Sequence, residues 1–170
     1  MNDHSFAIYG EYARESNKVM QDGLNRRVFN ETEAQAGPHI RLNDDGSIRL
    51  LPGTYRLTGF STVTMQTAMT PPQVTGSNFP GYCIVYRKSD ENSGESMLAD
   101  AIVIGSPTTS DLLSPSIFDA IHSFDEPTEI CVGHQVGEGL DGKVWLWIYE
   151  PAGGKPSKYH VVARIAITRM

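Results

Sequence analysis

In the stretch LLPGTYRLTGFSTVT, residues 50–64, apolar and polar side chains alternate. From Tyr55 onward, Tyr55, Leu57, Val63 and Met65 can face a core while Arg56, Thr58, Thr62 and Thr64 face outward. A repeat of two is the period of a strand, and no helix shows it. The Pro-Gly pair just ahead marks a turn leading into that strand. Runs of the same kind recur along the chain, before and after it: SFAIYGEY, RRVFN, HIRL, SIRLL, GYCIVYRK, MLADAIVIG, PSIFDAIHSF, TEICVGHQV, KVWLWIYE and YHVVARIAITRM. Between them lie turn-forming segments rich in Gly, Pro, Asn, Asp and Ser, among them NDDGS, PPQVTGSNFPG, SDENSGES, DEPT, GEGLDG and PAGGKPSK. About ten short strands with almost no helical period predict an all-β antiparallel sandwich or barrel. Only residues 14–24 and 106–113 are expected to curl briefly into a helical turn, and residues 67–80 read as a long surface loop.

Length and charge narrow this picture. A chain of 170 residues is long enough for one sizeable core and short for two, so residues 1–170 are expected to form one domain. The formal charge is −6 and no Lys/Arg block is longer than the pair Arg26 and Arg27, which leaves no electrostatic footprint for nucleic acid or an anionic membrane. The N-terminal MNDHSFAIYGEYARESN has no basic n-region and no apolar run of seven or more residues. Neither a signal peptide nor a membrane insertion is expected, and the chain reads as a soluble protein made in the cytoplasm. Cys83 and Cys131 sit inside apolar runs, where free thiols behave as small buried hydrophobes, so they are expected to be reduced.

Candidate chemistry is sparse. GEGLDG, residues 137–142, has the letters of a dinucleotide fingerprint, but the strand-like KVWLWIYE follows where a helix is needed, so a hairpin loop is expected and no nucleotide. The oxygen-rich Asn43-Asp44-Asp45-Gly46-Ser47 lacks the twelve-residue ligand spread of an EF-hand and reads as a hairpin turn into SIRLL. Glu138 and Asp141 likewise read as solvated turn residues ahead of cation ligands. The histidines His4, His39, His122, His134 and His160 show no close-spaced metal motif, although His122 and His134 fall on successive predicted strands and could become neighbours. No G-x-S-x-G elbow occurs and neither cysteine has a base nearby in sequence. No catalytic residue, metal or cofactor is therefore expected. A metal-dependent enzyme of cupin type, the enzymatic alternative on a β-barrel of this size, lacks its clustered histidines and glutamate here.

One strand breaks the alternation. In KVWLWIYE, residues 143–150, Val144, Leu146 and Ile148 form one face and Trp145, Trp147 and Tyr149 the other, so both faces need cover. A loop of the same chain could supply it. A subunit contact through Trp145, Trp147 and Tyr149 is the preferred reading, because each large aromatic buries roughly 150–250 Å².

The series IRLLPGTYRLTGFSTV, the Tyr/Ile/Val-rich strand after it, SIFDAIHSFDEPTEICVGHQV and the final YHVVARIAITRM together resemble the trimeric jelly roll of the tumour necrosis factor and complement globular-head superfamily. More narrowly the chain is similar to the C-terminal head domains of bacteriophage tail fibres and prophage structural proteins. Leu51-Pro52-Gly53-Thr54-Tyr55, leading into a core strand, and the apolar-basic-apolar ending RIAITRM carry that similarity, which extends over residues 5–170. It implies an antiparallel jelly-roll sandwich, Tyr55 as a core anchor, a homotrimer without enzymatic activity, and a virion-associated setting. The expected partner is a bacterial surface glycan or a virion or host surface protein, met through loops. Exposed aromatic and amide side chains suit a sugar, which makes Asn78, Phe79, Tyr82 and Tyr159 the candidate ligand-binding residues. A purely structural assembly protein is the alternative in the same setting.

Overall fold

The computed structural model describes residues 4–12, 18–65, 81–108, 115–137, 144–146 and 161–170. Its strands are β1 (Phe6–Tyr12), β2 (Lys18–Val19), β3 (Gly23–Arg26), β4 (Glu31–Ala36), β5 (Ile40–Leu42), β6 (Ile48–Leu50), β7 (Gly53–Thr62), β8 (Thr64–Met65), β9 (Tyr82–Arg87), β10 (Val103–Pro107), β11 (Pro115–Phe124), β12 (Thr128–Val136), β13 (Val144–Leu146) and β14 (Val161–Arg169). One short helix, α1 (Glu95–Ala99), and a 3-10 turn at Lys88–Asp90 interrupt them. The strands form a five-stranded sheet in the order β11-β7-β14-β1-β4 and a second sheet in the order β10-β9-β12-β6-β5, with β3 also on β12. Every described pairing is antiparallel, and the two sheets make the all-β sandwich that the strand pattern predicts, in the jelly-roll form that the family resemblance implies. A third sheet has three strands in the order β2-β13-β8.

The core lies between the two main sheets and follows the alternation. Tyr55 and Leu57 on β7, Ala7 and Tyr9 on β1, and Ile165 and Ile167 on β14 meet Ile48, Leu50, Val85, Ile130 and Val132 from the other sheet, all fully buried. Tyr55 anchors the Pro-Gly lead-in as well, its hydroxyl donating 2.7 Å to the Leu51 carbonyl. The Tyr9 hydroxyl donates 2.8 Å to Gln35 Oε1, and burial pushes its pKa up to about 12. The NDDGS segment is the predicted hairpin between β5 and β6: Asn43 N–H donates to the Ser47 carbonyl, and Gly46 takes the left-handed φ of 80° that closes the turn.

Several expectations are corrected. Residues 106–113 do not begin as a helical turn, because Ser106 and Pro107 end strand β10, and residues 18–24 of the other expected turn hold β2 and the start of β3. RRVFN is strand only at Arg26. The helix forms instead at the head of MLADAIVIG, where Met97 seals the outward side of β9 and β12 by packing on Ile84, Tyr86 and Cys131. That cover explains why YCIVY is apolar on both faces. β4, ETEAQA, has no apolar alternation to announce it, since it is an edge strand with two mostly exposed faces. Among the described pairings β13 joins β2 and β8 and not β12, so the strands flanking GEGLDG do not form the expected hairpin.

Candidate functional site

The outward face of the five-stranded sheet can be read row by row from the register. One row runs Ile121, Arg56, Thr168, Phe6, Ala36; the next Asp119, Thr58, Ala166, Ile8, Ala34; the third Ile117, Phe60, Arg164, Gly10, Glu31. Ile117 is 57% exposed, Ile121 61% and Phe6 42%, and Phe60 is partly covered. The cations in these rows are already neutralised. Arg56 grips Asp119 with two bonds of 3.1 and 2.8 Å, and Arg164 Nε sits 2.9 Å from Glu33 Oε1. Covering this face would therefore bury apolar surface and internally paired charges, with little unpaired charge to desolvate. Beside Phe60, Pro115 and Ile117 it sinks into an open depression of about 410 Å³ that reaches Arg164 and Ala166.

Between the sheets, the apolar core is crossed by a polar layer. In the five-stranded sheet Ser116, Ser61, Ala163 and Glu11 are aligned in register, and in the other sheet Cys83 lies opposite His134. Ser61 Oγ and His134 Nδ1 join the two sheets at 2.9 Å. Ser116 Oγ accepts from the Cys83 amide at 2.8 Å and contacts the Ser106 carbonyl. Arg27, 1% exposed, places Nε 2.9 Å from Glu11 Oε2. Burial pushes both thiols up, that of Cys131 to about 11. A serine bonded to a histidine has the make-up of a nucleophile and its base, and sequence spacing gave no sign of it. Ser61, Cys83 and His134 are all fully buried, and the pair joins the two sheets inside the core.

His122 and His134 do not become neighbours. The turn between β11 and β12 carries the chain from one sheet to the other, so His122 pairs in register with Tyr55 and His134 with Cys83. Among the described residues no three His, Cys, Asp or Glu side chains converge to hold a metal. In the acidic turn, Asp45 receives Lys88 Nζ at 2.8 Å and Arg26 Nη2 at 3.3 Å, so protein cations occupy its carboxylate and hold its pKa well below the usual range.

Of the predicted ligand-binding residues, Tyr82 opens β9, half-buried, between Gln135 on β12 and Pro107 on β10. Asn78, Phe79 and Tyr159 lie outside the described residues, as do Trp147, Tyr149, Glu138 and Asp141. Trp145 is on β13, opposite Val19 and Thr64. The apolar sheet face was not singled out from sequence. Its signal was present in PSIFDAIHSF, where Ile117 and Ile121 alternate with the core positions Phe118 and Phe124, so that this strand too is apolar on both faces.

No protein family and no curated protein matches the sequence. Solved structures do match its fold. The crystal structure of murine APRIL at pH 8.0 superimposes with a TM-score of 0.57 at 9% identity, covering 98% of this chain and 99% of that one. The pH 8.5 structure of murine APRIL gives 0.55 at 8% identity, with 98% and 99% covered. The globular domain of zebrafish complement 1qA protein gives 0.46 at 8% identity, with 98% and 95% covered. With its two antiparallel sheets of five and six strands, the chain has the jelly-roll fold of the tumour necrosis factor type.

Proposed function

We propose that this protein is a non-enzymatic homotrimeric head domain that binds a partner, a bacterial surface glycan or a virion or host surface protein, in a phage or prophage setting. The uncovered apolar face of the five-stranded sheet carries the reading. The other main sheet has α1 over its outward side, whereas Ile117, Ile121 and Phe6 stand open with their neighbouring charges paired. Covering each of these side chains contributes roughly 1–2 kcal/mol, as about half of each is still exposed. Three copies closing around an axis would cover the face on every subunit and leave no open end. Trp145, Trp147 and Tyr149 are proposed as further subunit contacts. The Ser61 and His134 pair, sealed in the core, supports binding over catalysis. Asn78, Phe79, Tyr82 and Tyr159 are the proposed glycan contacts.

Light scattering on the eluting protein tests the assembly. A trimer is expected for the wild type, and Ile121→Arg, which sets three guanidinium groups into an apolar contact, is expected to give a folded monomer. A monomeric wild type, or a fully trimeric Ile121→Arg protein, overturns the interface. Trp147→Arg tests the aromatic strand by the same measurement. Glycan-array binding that fails in a Tyr82→Ala protein supports the sugar, and an array without any hit leaves structural assembly as the function.

A further inference from the structure

Arg87 ends β9 at the opposite end of that strand from the polar layer. Its guanidinium lies 6.0 Å from the centre of the Phe124 ring, and its Nη2 is 3.3 Å from His122 Nε2. His122 is itself 4.8 Å from Phe124, centre to centre. Ring and imidazole hold the guanidinium in place without neutralising it, since the imidazole accepts its N–H as a neutral base. Arg26, Arg27, Arg56 and Arg164 each hold a carboxylate, and no ion pair to Arg87 occurs among the described residues. Beside Arg87 opens a depression of about 510 Å³ whose wall carries Lys88, Ser89, Glu126, Thr128 and Glu129. Lys88 is spent on Asp45 and Glu129, at 2.8 and 2.9 Å, so Arg87 is the cation this depression offers.

We propose that the depression binds a sugar bearing a single carboxylate. A planar guanidinium fixed from one side presents its remaining N–H groups as a fork, and a carboxylate fits that fork with two parallel bonds. The rest of the wall is rich in acceptors, the Glu126 carboxylate and the Ser89 and Thr128 hydroxyls. Sugar hydroxyls are donors and match them, whereas a phosphate or a polyacid would bring further negative charge against Glu126 and Glu129. The residues lining it are not among the glycan contacts proposed above, and the proposal stands whether or not the chain trimerises.

Nuclear magnetic resonance on the full chain decides it, with the Arg87 Nε–H and His122 ring signals as reporters and D-glucuronate, D-glucose, acetate and inorganic phosphate as probes. Glucuronate is expected to shift both signals saturably, with glucose, acetate and phosphate each about tenfold weaker or worse. Arg87→Gln is expected to abolish the glucuronate response. Should that variant lose its folded spectrum, Arg87→Lys keeps the charge and the stem over Phe124 but loses the fork, and about a tenfold loss of affinity is expected. Absence of a saturable glucuronate shift, an equal response to acetate, or unchanged affinity in the arginine variants overturns the proposal.

Discussion

Replacing Glu11 by Ala puts the buried polar layer to its hardest test. Arg27 is 1% exposed, its Nε forms an ion pair with Glu11 Oε2 at 2.9 Å, and among the described residues no hydrogen bond of good geometry reaches its Nε, Nη1 or Nη2. Burial already lowers its proton affinity, with the Glu11 charge as the largest opposing influence. A guanidinium does not escape by losing its proton at neutral pH, so removing Glu11 strands a full charge in the core. That loss costs about 3–5 kcal/mol. With a urea slope of about 2 kcal/mol per molar, the unfolding midpoint should fall by about 1.5–2.5 M, followed by fluorescence at fixed protein concentration. The paired change Glu11→Leu with Arg27→Met removes both charges and keeps the volume, and should be at least as stable as the wild type. A Glu11→Ala protein that loses less than about 1 kcal/mol, or a double variant less stable than that single one, would refute the assignment of a stranded buried charge.

Other expectations rest on separate features. Gly81 has a left-handed φ of 105° and an added Cβ would run into the Gln135 carbonyl, so Gly81→Ala should not yield folded protein. Gly94, left-handed at 61° with open space around it, should lose only about 1–2 kcal/mol on the same change, and similar urea midpoints for the two would contradict the steric account. His122 is held below the ordinary imidazole value of 6.5 by burial first and the Arg87 charge second. The unfolded chain then binds its proton at higher pH than the folded one, so stability is full above about pH 6.5 and declines as the pH falls below it, a slope that His122→Gln should reduce. Cys83 and Cys131 are free, buried and raised in pKa, so a thiol reagent should label the native protein far more slowly than the urea-unfolded chain, and equal rates would place a thiol at the surface.

Sequence by itself determined the class of fold and much of the strand positioning. The period of two in residues 54–63 placed Tyr55 and Leu57 inside and Arg56 outside, and Asp45-Gly46 located a hairpin, because both signals are local: pleat and turn constrain neighbours within a few residues. Elements whose stability comes from elsewhere were illegible. β4 is strand because β1 offers it an edge, and Glu95–Ala99 is helix because Met97 finds the uncovered side of β9 and β12. Only the tertiary structure decided the sites. Ser61 and His134, Glu11 and Arg27, and Arg87 and His122 are 73, 16 and 35 positions apart, and they meet because strand order and register bring distant rows together. An exposed face is likewise a property of what packs where, so Ile117 and Ile121 read as ordinary strand residues until the sheet order set them on its outward side, more than half exposed.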